Sequence, residues 1–243
     1  MRALIVGATS GLGRALSRVL AERGDDLVLV ARDPTDLEAE ARHLHTVHGV
    51  IVTTIPSDAT RPDAFVATVS DATAIFDDIQ TVLLPIGLSR SNDLAAWPLA
   101  QTQTLLDVNF TSVATLIEAL LPRLLGHDSV IVGFGSVAAV RGRSANVVYS
   151  SAKRALESYF ESLRHRLSTT KVRVQLYRLG YLDTQQSFGK RLLLPKASPE
   201  RIARAVVRNL DRDFGITTRP RFWIVVSLIV RWLPWPLFRR LSF

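Results

Sequence analysis

Six short, almost wholly apolar runs recur along the chain with longer amphipathic stretches between them, and this alternation limits what the chain can fold into. The runs are Ala3–Val6, Asp26–Ala31, Val50–Ile55, Thr81–Leu84, Ser129–Gly133 and Val172–Leu176. A strand that is apolar at successive positions has both faces covered, as in a parallel sheet sandwiched between helices. Helical spacing marks Leu12–Arg23, Thr35–His45, Thr102–Leu125 and Val148–Ser168. Ser198 and Pro199 open a further helix over Glu200–Leu210, with proline at the favoured first position. The expected fold is α/β, a Rossmann-like doubly wound parallel sheet flanked by helices. A chain of 243 residues, 47% hydrophobic, can bury one full core of this kind. The expected division is one domain over residues 1–220 and an apolar tail over 221–243.

Composition removes several chemistries. The chain has no cysteine, so disulfides, thiolate metal sites and thiol nucleophiles are excluded. Its five histidines show no ligand spacing, and no metal is expected. A formal charge of +8 favours anionic partners such as a phosphorylated cofactor or a phospholipid surface. No basic run interleaved with aromatics occurs in the body of the chain, so nucleic acid is not an expected partner. The first strand begins at once after Met1 with no signal peptide ahead of it, which places the body in the cytoplasm as an expectation.

Between the first strand and the first helix lies Gly7-Ala8-Thr9-Ser10-Gly11-Leu12-Gly13. Glycines there let the backbone turn tightly and approach a pyrophosphate, which then rests on the N–H groups opening the helix. The second strand ends in Ala31-Arg32-Asp33, where the adenosine ribose would lie. Arginine pairs with a 2′-phosphate, whereas an acid accepts from a free 2′-hydroxyl. Arg32 comes first and favours NADP(H). Asp33 keeps NAD(H) open, or caps the helix that follows. After the third strand, Asp58 either meets the adenine amine or is an ordinary turn residue.

Tyr149 and Lys153 are four residues apart at the start of a helix and share one face. A nearby ammonium favours the phenolate and makes tyrosine a usable acid–base group. Ser136, thirteen residues before Tyr149, follows the fifth strand at the carboxyl end of the sheet and can hydrogen-bond the same carbonyl oxygen. Asn109 sits inside the long helical stretch, where asparagine is poorly suited. In order and spacing, the glycine turn, Asn109, Ser136, Tyr149 and Lys153 resemble the short-chain dehydrogenase/reductase family over about Met1–Leu210.

The resemblance implies roles. Tyr149 is the general acid/base, Ser136 positions the carbonyl, and Lys153 binds the nicotinamide ribose while lowering the tyrosine pKa. Asn109 holds a water for proton relay. Gly7, Thr9, Ser10, Gly11, Leu12 and Gly13 form the phosphate turn, with Arg32, Asp58 and Gly87 further along the cofactor. Arg178-Leu179-Gly180-Tyr181-Leu182-Asp183-Thr184 resembles the family segment after the sixth strand whose threonine, here Thr184, contacts the carboxamide, and Gly180 is also expected at the cofactor. The chain departs from the family at Pro85-Ile86-Gly87, where Asn-Ala-Gly is usual, and at Leu179, where proline is usual.

Substrate choice in such enzymes is set by the segment after Thr184, here Gln185 to Arg191 and then Leu192-Leu193-Leu194-Pro195. The tail holds an uncharged run, Phe222 to Val230, then Arg231, Trp232, Trp235 and Arg239-Arg240. A spanning helix needs about 20 apolar residues. This run is shorter and fits either the membrane interface or packing on protein. Arg143 to Tyr149, the turn at Gly87 and the ending Leu233-Pro234-x2-Leu237-Phe238-Arg239-Arg240-Leu241 resemble one subgroup, the decaprenylphosphoryl-2-keto-ribose reductases. That implies a small-molecule or lipid-linked keto substrate and peripheral contact with the cytoplasmic membrane. A long-chain keto-lipid reductase like the 3-ketosphinganine reductases, or a nucleotide-binding membrane scaffold without turnover, are the alternatives. Because the tail stands where family members carry a last, interface-building strand, a homodimer is expected.

Overall fold

The computed structural model describes residues 1–74, 76, 79–89, 98–185 and 194–241. Among these, seven strands make one parallel sheet: β1 (Arg2–Val6), β2 (Asp26–Ala31), β3 (Val52–Pro56), β4 (Ile79–Leu84), β5 (Val130–Ser136), β6 (Arg173–Leu179) and β7 (Ile216–Arg219). Their order is β3-β2-β1-β4-β5-β6-β7. The chain steps outward from β1 to β3, then returns to lay β4 on the other side of β1, so the winding reverses between β1 and β4. In such sheets ligands bind at the carboxyl ends of the strands beside that reversal.

Alternate residues of each strand serve opposite layers. Ile5, Leu27 and Leu29 pack with Leu16 and Leu20 of α1 (Gly11–Glu22), Leu37 and Leu44 of α2 (Pro34–His48), and Ile202 and Val206 of α7 (Pro199–Val207). Leu4, Val6, Val28 and Val30 face the other layer. That layer is built from α3 (Pro62–Thr73), α4 (Leu99–Leu106), α5 (Ser112–Leu124) and α6 (Val147–Arg166). Side chains start the helices next to the sheet's carboxyl edge. Ser10 Oγ accepts from Gly13 N at 3.0 Å, and Asp33 Oδ1 accepts from Thr35 N at 2.9 Å and Asp36 N at 3.2 Å.

All six expected strands form, with ends shifted by a few residues. Two elements escape the pattern. Helix α3 is rich in alanine and threonine, and β7 is a four-residue edge strand. The expectation that the tail takes the place of a last strand is overturned, since β7 forms just ahead of it. The tail itself is helix α8 (Phe222–Trp232) and the single turn α9 (Trp235–Phe238).

The expected helix over Thr102–Leu125 runs from Leu99 to Leu124, but its middle, Asp107–Thr111, is π-helical. By length and composition alone it could cross a membrane, yet over half of it is buried in this fold, as befits a core helix.

Close packing of α6 on the sheet requires Gly133, because a Cβ there would stand 2.3 Å from Cζ of Phe160. Gly133→Ala is expected to cost about 1–3 kcal/mol by overpacking. A chemical-denaturation midpoint equal to the parent's would contradict this.

Candidate active site

The turn after β1 closes on itself too tightly for side chains. Gly7 has φ +94°, and a Cβ on it would lie 3.0 Å from the backbone of Ile86. A Cβ on Gly13 would lie 2.1 Å from the carbonyl oxygen of Gly7. Gly11 faces Thr184, whose Cγ2 would be 2.7 Å from an added Cβ. The segment after β6 thus folds across the opening of α1. Ser10 Oγ reaches the Pro85 carbonyl at 3.4 Å, and the Thr9 carbonyl accepts from Arg14 Nε at 3.1 Å. Leu12 turns its side chain into the core, leaving its backbone N–H in the first turn of the helix. A cradle that only glycine backbone can line, at a helix N-terminus, fits a dinucleotide pyrophosphate.

At the end of β2, Asp33 is occupied as the cap of α2. Arg32 is exposed and makes no ion pair among the described residues. Asp58 Oδ1 accepts from Thr60 N at 3.0 Å, so this carboxylate shapes the turn after β3.

Around the carboxyl end of β5 the polar residues converge. Lys153, only 4% exposed, donates from Nζ to the Phe134 carbonyl at 3.2 Å. The Ser136 hydroxyl accepts from Ala138 N at 3.1 Å and hydrogen-bonds the Tyr149 phenol. Asn109 is wholly buried. Its Nδ2 donates to Leu88 O at 2.8 Å and Leu105 O at 2.9 Å, and its Oδ1 accepts from Leu88 N at 3.2 Å. The π-helical stretch explains how an asparagine is accommodated in mid-helix. It interrupts the regular ladder, and the Asn109 side chain takes up the Leu105 carbonyl. A Cβ on Gly87 would sit 3.2 Å from Lys153 Nζ and 3.3 Å from Asn109 Oδ1. Asn109, Gly87, Lys153, Ser136 and Tyr149 therefore form one cluster.

Burial raises the Tyr149 pKa, opposed by the Ser136 hydrogen bond and the positive charge of Arg143. Burial also brings Lys153 down to about 8. The neutral phenol is thus the resting form, suited to giving a proton away.

Sequence reasoning passed over the group that ties this helix to the sheet. Glu157, 3% exposed, stands one turn after Lys153 and accepts from Arg178 Nε at 2.8 Å and Nη2 at 2.7 Å. An arginine inside an apolar strand, with a glutamate four residues beyond Lys153, was the available signal. Also passed over was Trp223 of α8. A Cβ on Gly180 would fall 1.9 Å from its indole Nε1, so in this chain the glycine makes room for the tail. Residues 186–193, most of the segment expected to select substrate, lie outside the described residues.

A dinucleotide cradle at the sheet's reversal, beside a buried lysine and a serine-bonded tyrosine, is the arrangement of a nicotinamide-dependent oxidoreductase. Comparison with known proteins agrees. Residues 1–191 match the short chain dehydrogenase family model. An uncharacterized oxidoreductase of Streptomyces coelicolor is 35% identical, covering 98% of this chain and 94% of its own. The ketoacyl reductase HetN of Nostoc is 28% identical over 85% of this chain and 74% of its own. A short-chain dehydrogenase from Sphingobium yanoikuyae, solved in complex with NADPH, superposes with a TM-score of 0.83 at 27% identity, covering 93% of this chain and 92% of its own. The chain belongs to the short-chain dehydrogenase family and is an NAD(P)-dependent oxidoreductase.

On the roles expected of Tyr149 as proton donor and Lys153 as its charged partner, reduction needs a phenol at 149 and an ammonium at 153. The kcat/KM for ketone reduction is therefore expected to be level near neutrality and to fall with unit slope above about 8, where Lys153 deprotonates while Tyr149 keeps its proton. A profile level up to about pH 10, the ordinary tyrosine value, would remove Lys153 from this role.

Proposed function

We propose that the protein reduces a ketone to a secondary alcohol on a lipid-linked keto-sugar or another membrane-borne substrate, with NADP(H) preferred to NAD(H), as a peripheral protein on the cytoplasmic face of a membrane. The observation carrying the substrate reading is the apolar tail seated on the loops that border the Ser136–Tyr149–Lys153 cluster. The resemblance of residues 143–149 and of the chain's ending to the decaprenylphosphoryl-2-keto-ribose reductases supports the same substrate class. The cofactor preference rests on an exposed Arg32 beside an Asp33 already engaged as a cap. The NADPH held by the Sphingobium relative supports it.

In this reading the bound nicotinamide supplies the hydride, and the chain's own residues manage the oxygen and the proton. Tyr149 gives its phenolic proton to the ketone oxygen, and its raised pKa keeps that proton available at neutral pH. Ser136, already bonded to Tyr149, donates to the same oxygen and sets its distance from the phenol. Lys153 stabilises the phenolate left behind by its charge and holds the nicotinamide ribose. Asn109 pins the backbone at Leu88 and so keeps Gly87 against Lys153. Gly7, Gly11 and Gly13 admit the pyrophosphate, and Thr184 closes over it from the β6 side. A scaffold without turnover would have no use for this assembled cluster.

NADPH oxidation across lipid-linked keto-sugars, 3-ketosphinganine and small soluble ketones tests the substrate. The proposal expects kcat/KM to be highest for a lipid-linked keto-sugar. A preference for soluble ketones would overturn it, and a preference for 3-ketosphinganine would move the assignment to keto-lipids. In the same assay Tyr149→Phe is expected to lower turnover by about 10²–10⁴-fold with NADPH binding retained.

Arg32→Ala is expected to weaken NADPH by about 1–3 kcal/mol and to leave NADH nearly unchanged, because the lost contact is charge-assisted and specific to phosphate. Equal losses for the two cofactors, read by fluorescence titration, would deny Arg32 this part.

A further inference from the structure

Helix α8 is apolar on both faces, and only one of them meets the body. Trp223 and Ser227 point inward and are buried. Val225, Leu228, Ile229 and Trp232, spaced i, i+3, i+4 and i+7, form a stripe on the opposite side. Trp235 and Leu237 extend the apolar surface past Pro234, and each of these six residues is more than half exposed. Single exposed apolar residues are ordinary, whereas a contiguous stripe marks a contact surface.

The stripe cannot turn inward, because the tail is clamped at both ends. Trp223 fills the space over Gly180, its ring edge-on to Tyr181 at 5.1 Å. Arg141 Nη1 donates to the Val230 carbonyl at 3.0 Å and to that of Leu233, satisfying carbonyls at the end of α8. The Arg141 guanidinium also lies 3.9 Å above the centre of the Phe238 ring. Arg141 follows Ser136 by five residues, and Gly180 precedes Thr184 by four. The helix that carries the stripe is thus held by the segments that follow Ser136 and precede Thr184.

Charge selects the occupant. From Ile216 to Phe243 there is no acidic residue, and the charged residues are Arg219, Arg221, Arg231, Arg239 and Arg240. A second copy presenting the same face would bring arginine against arginine. An anionic lipid surface would take both the apolar stripe and the arginines. Eleven helical residues reach about 16 Å, well short of the ~30 Å hydrocarbon core, so α8 lies along the interface.

We infer that the exposed face of α8 and the turn after it dock on an anionic phospholipid surface and hold the mouth of the Tyr149 site against the bilayer. This deepens the membrane-borne substrate reading above, on which its functional meaning rests.

The test uses full-length protein and substrate-free vesicles of phosphatidylglycerol and phosphatidylcholine in equal parts. Co-sedimentation is expected at low salt. It should weaken about tenfold or more at high salt or with phosphatidylcholine alone, since each arginine near the surface contributes several-fold. Leu228→Glu/Ile229→Glu is expected to stay in the supernatant while still binding NADPH. Arg239→Gln/Arg240→Gln is a second variant that leaves the apolar face intact, and it should bind vesicles about tenfold or more weakly. Wild-type protein that stays in the supernatant at low salt would overturn the inference. So would variants that sediment as the parent does, or a lipid-free oligomer that dissociates in Leu228→Glu/Ile229→Glu, which would give the face to a second copy. Vesicle binding is read without substrate and turnover without vesicles, so this inference and the substrate reading can fail separately.

Discussion

Helix α6 buries Lys153 and Glu157 and partly buries Tyr149, and a buried ammonium or carboxylate costs several kcal/mol unless it finds a partner. Much of the geometry around the site meets that demand. The Phe134 carbonyl at the end of β5 takes the lysine, Ser136 takes the phenol, and Arg178 from β6 takes both oxygens of Glu157. The glycines that flank these groups leave room for them. A Cβ on Gly135 would come within 3.2 Å of Glu157 Oε1, and one on Gly87 would press on Lys153. The polar groups of the site thus belong to a packed layer.

That layer is joined to the cofactor end of the molecule through backbone. Asn109 fastens the loop after β4 to the π-helical turn of the core helix, and Ser10 spans from the glycine turn to Pro85. The loops after β1 and β4 are thereby held on either side of the winding reversal. Pro85-Ile86 replaces the usual family residues without loss of the turn, since the contacts made there by Ser10 and Gly7 are to backbone.

The tail adds a third partner to this edge of the sheet. Its inward face is used up by Trp223 and Ser227, whose buried Nε1 and Oγ have no hydrogen-bond partner among the described residues. Arg141 satisfies carbonyls at its end from a loop that begins at the site. Helix α8 therefore packs on the segment that follows Ser136 and on the one that precedes Thr184.

The strand runs were legible in the sequence because a strand covered on both faces must be apolar at every position, and the glycine turn because no other residue allows the backbone that close. Tyr149, Lys153, Ser136 and Asn109 were legible from residue type and order. The cap role of Asp33 was one of two open readings, and only the fold chose between them. The pairing of Glu157 with Arg178 and the seat of Trp223 on Gly180 join residues 21 and 43 positions apart, and no local periodicity records such contacts. The same holds for the tail. Its composition reads alike for a buried helix and an interfacial one, because hydrophobicity is a property of each residue. Which face is covered depends on what lies beside it in space, and that was decided by the tertiary structure alone.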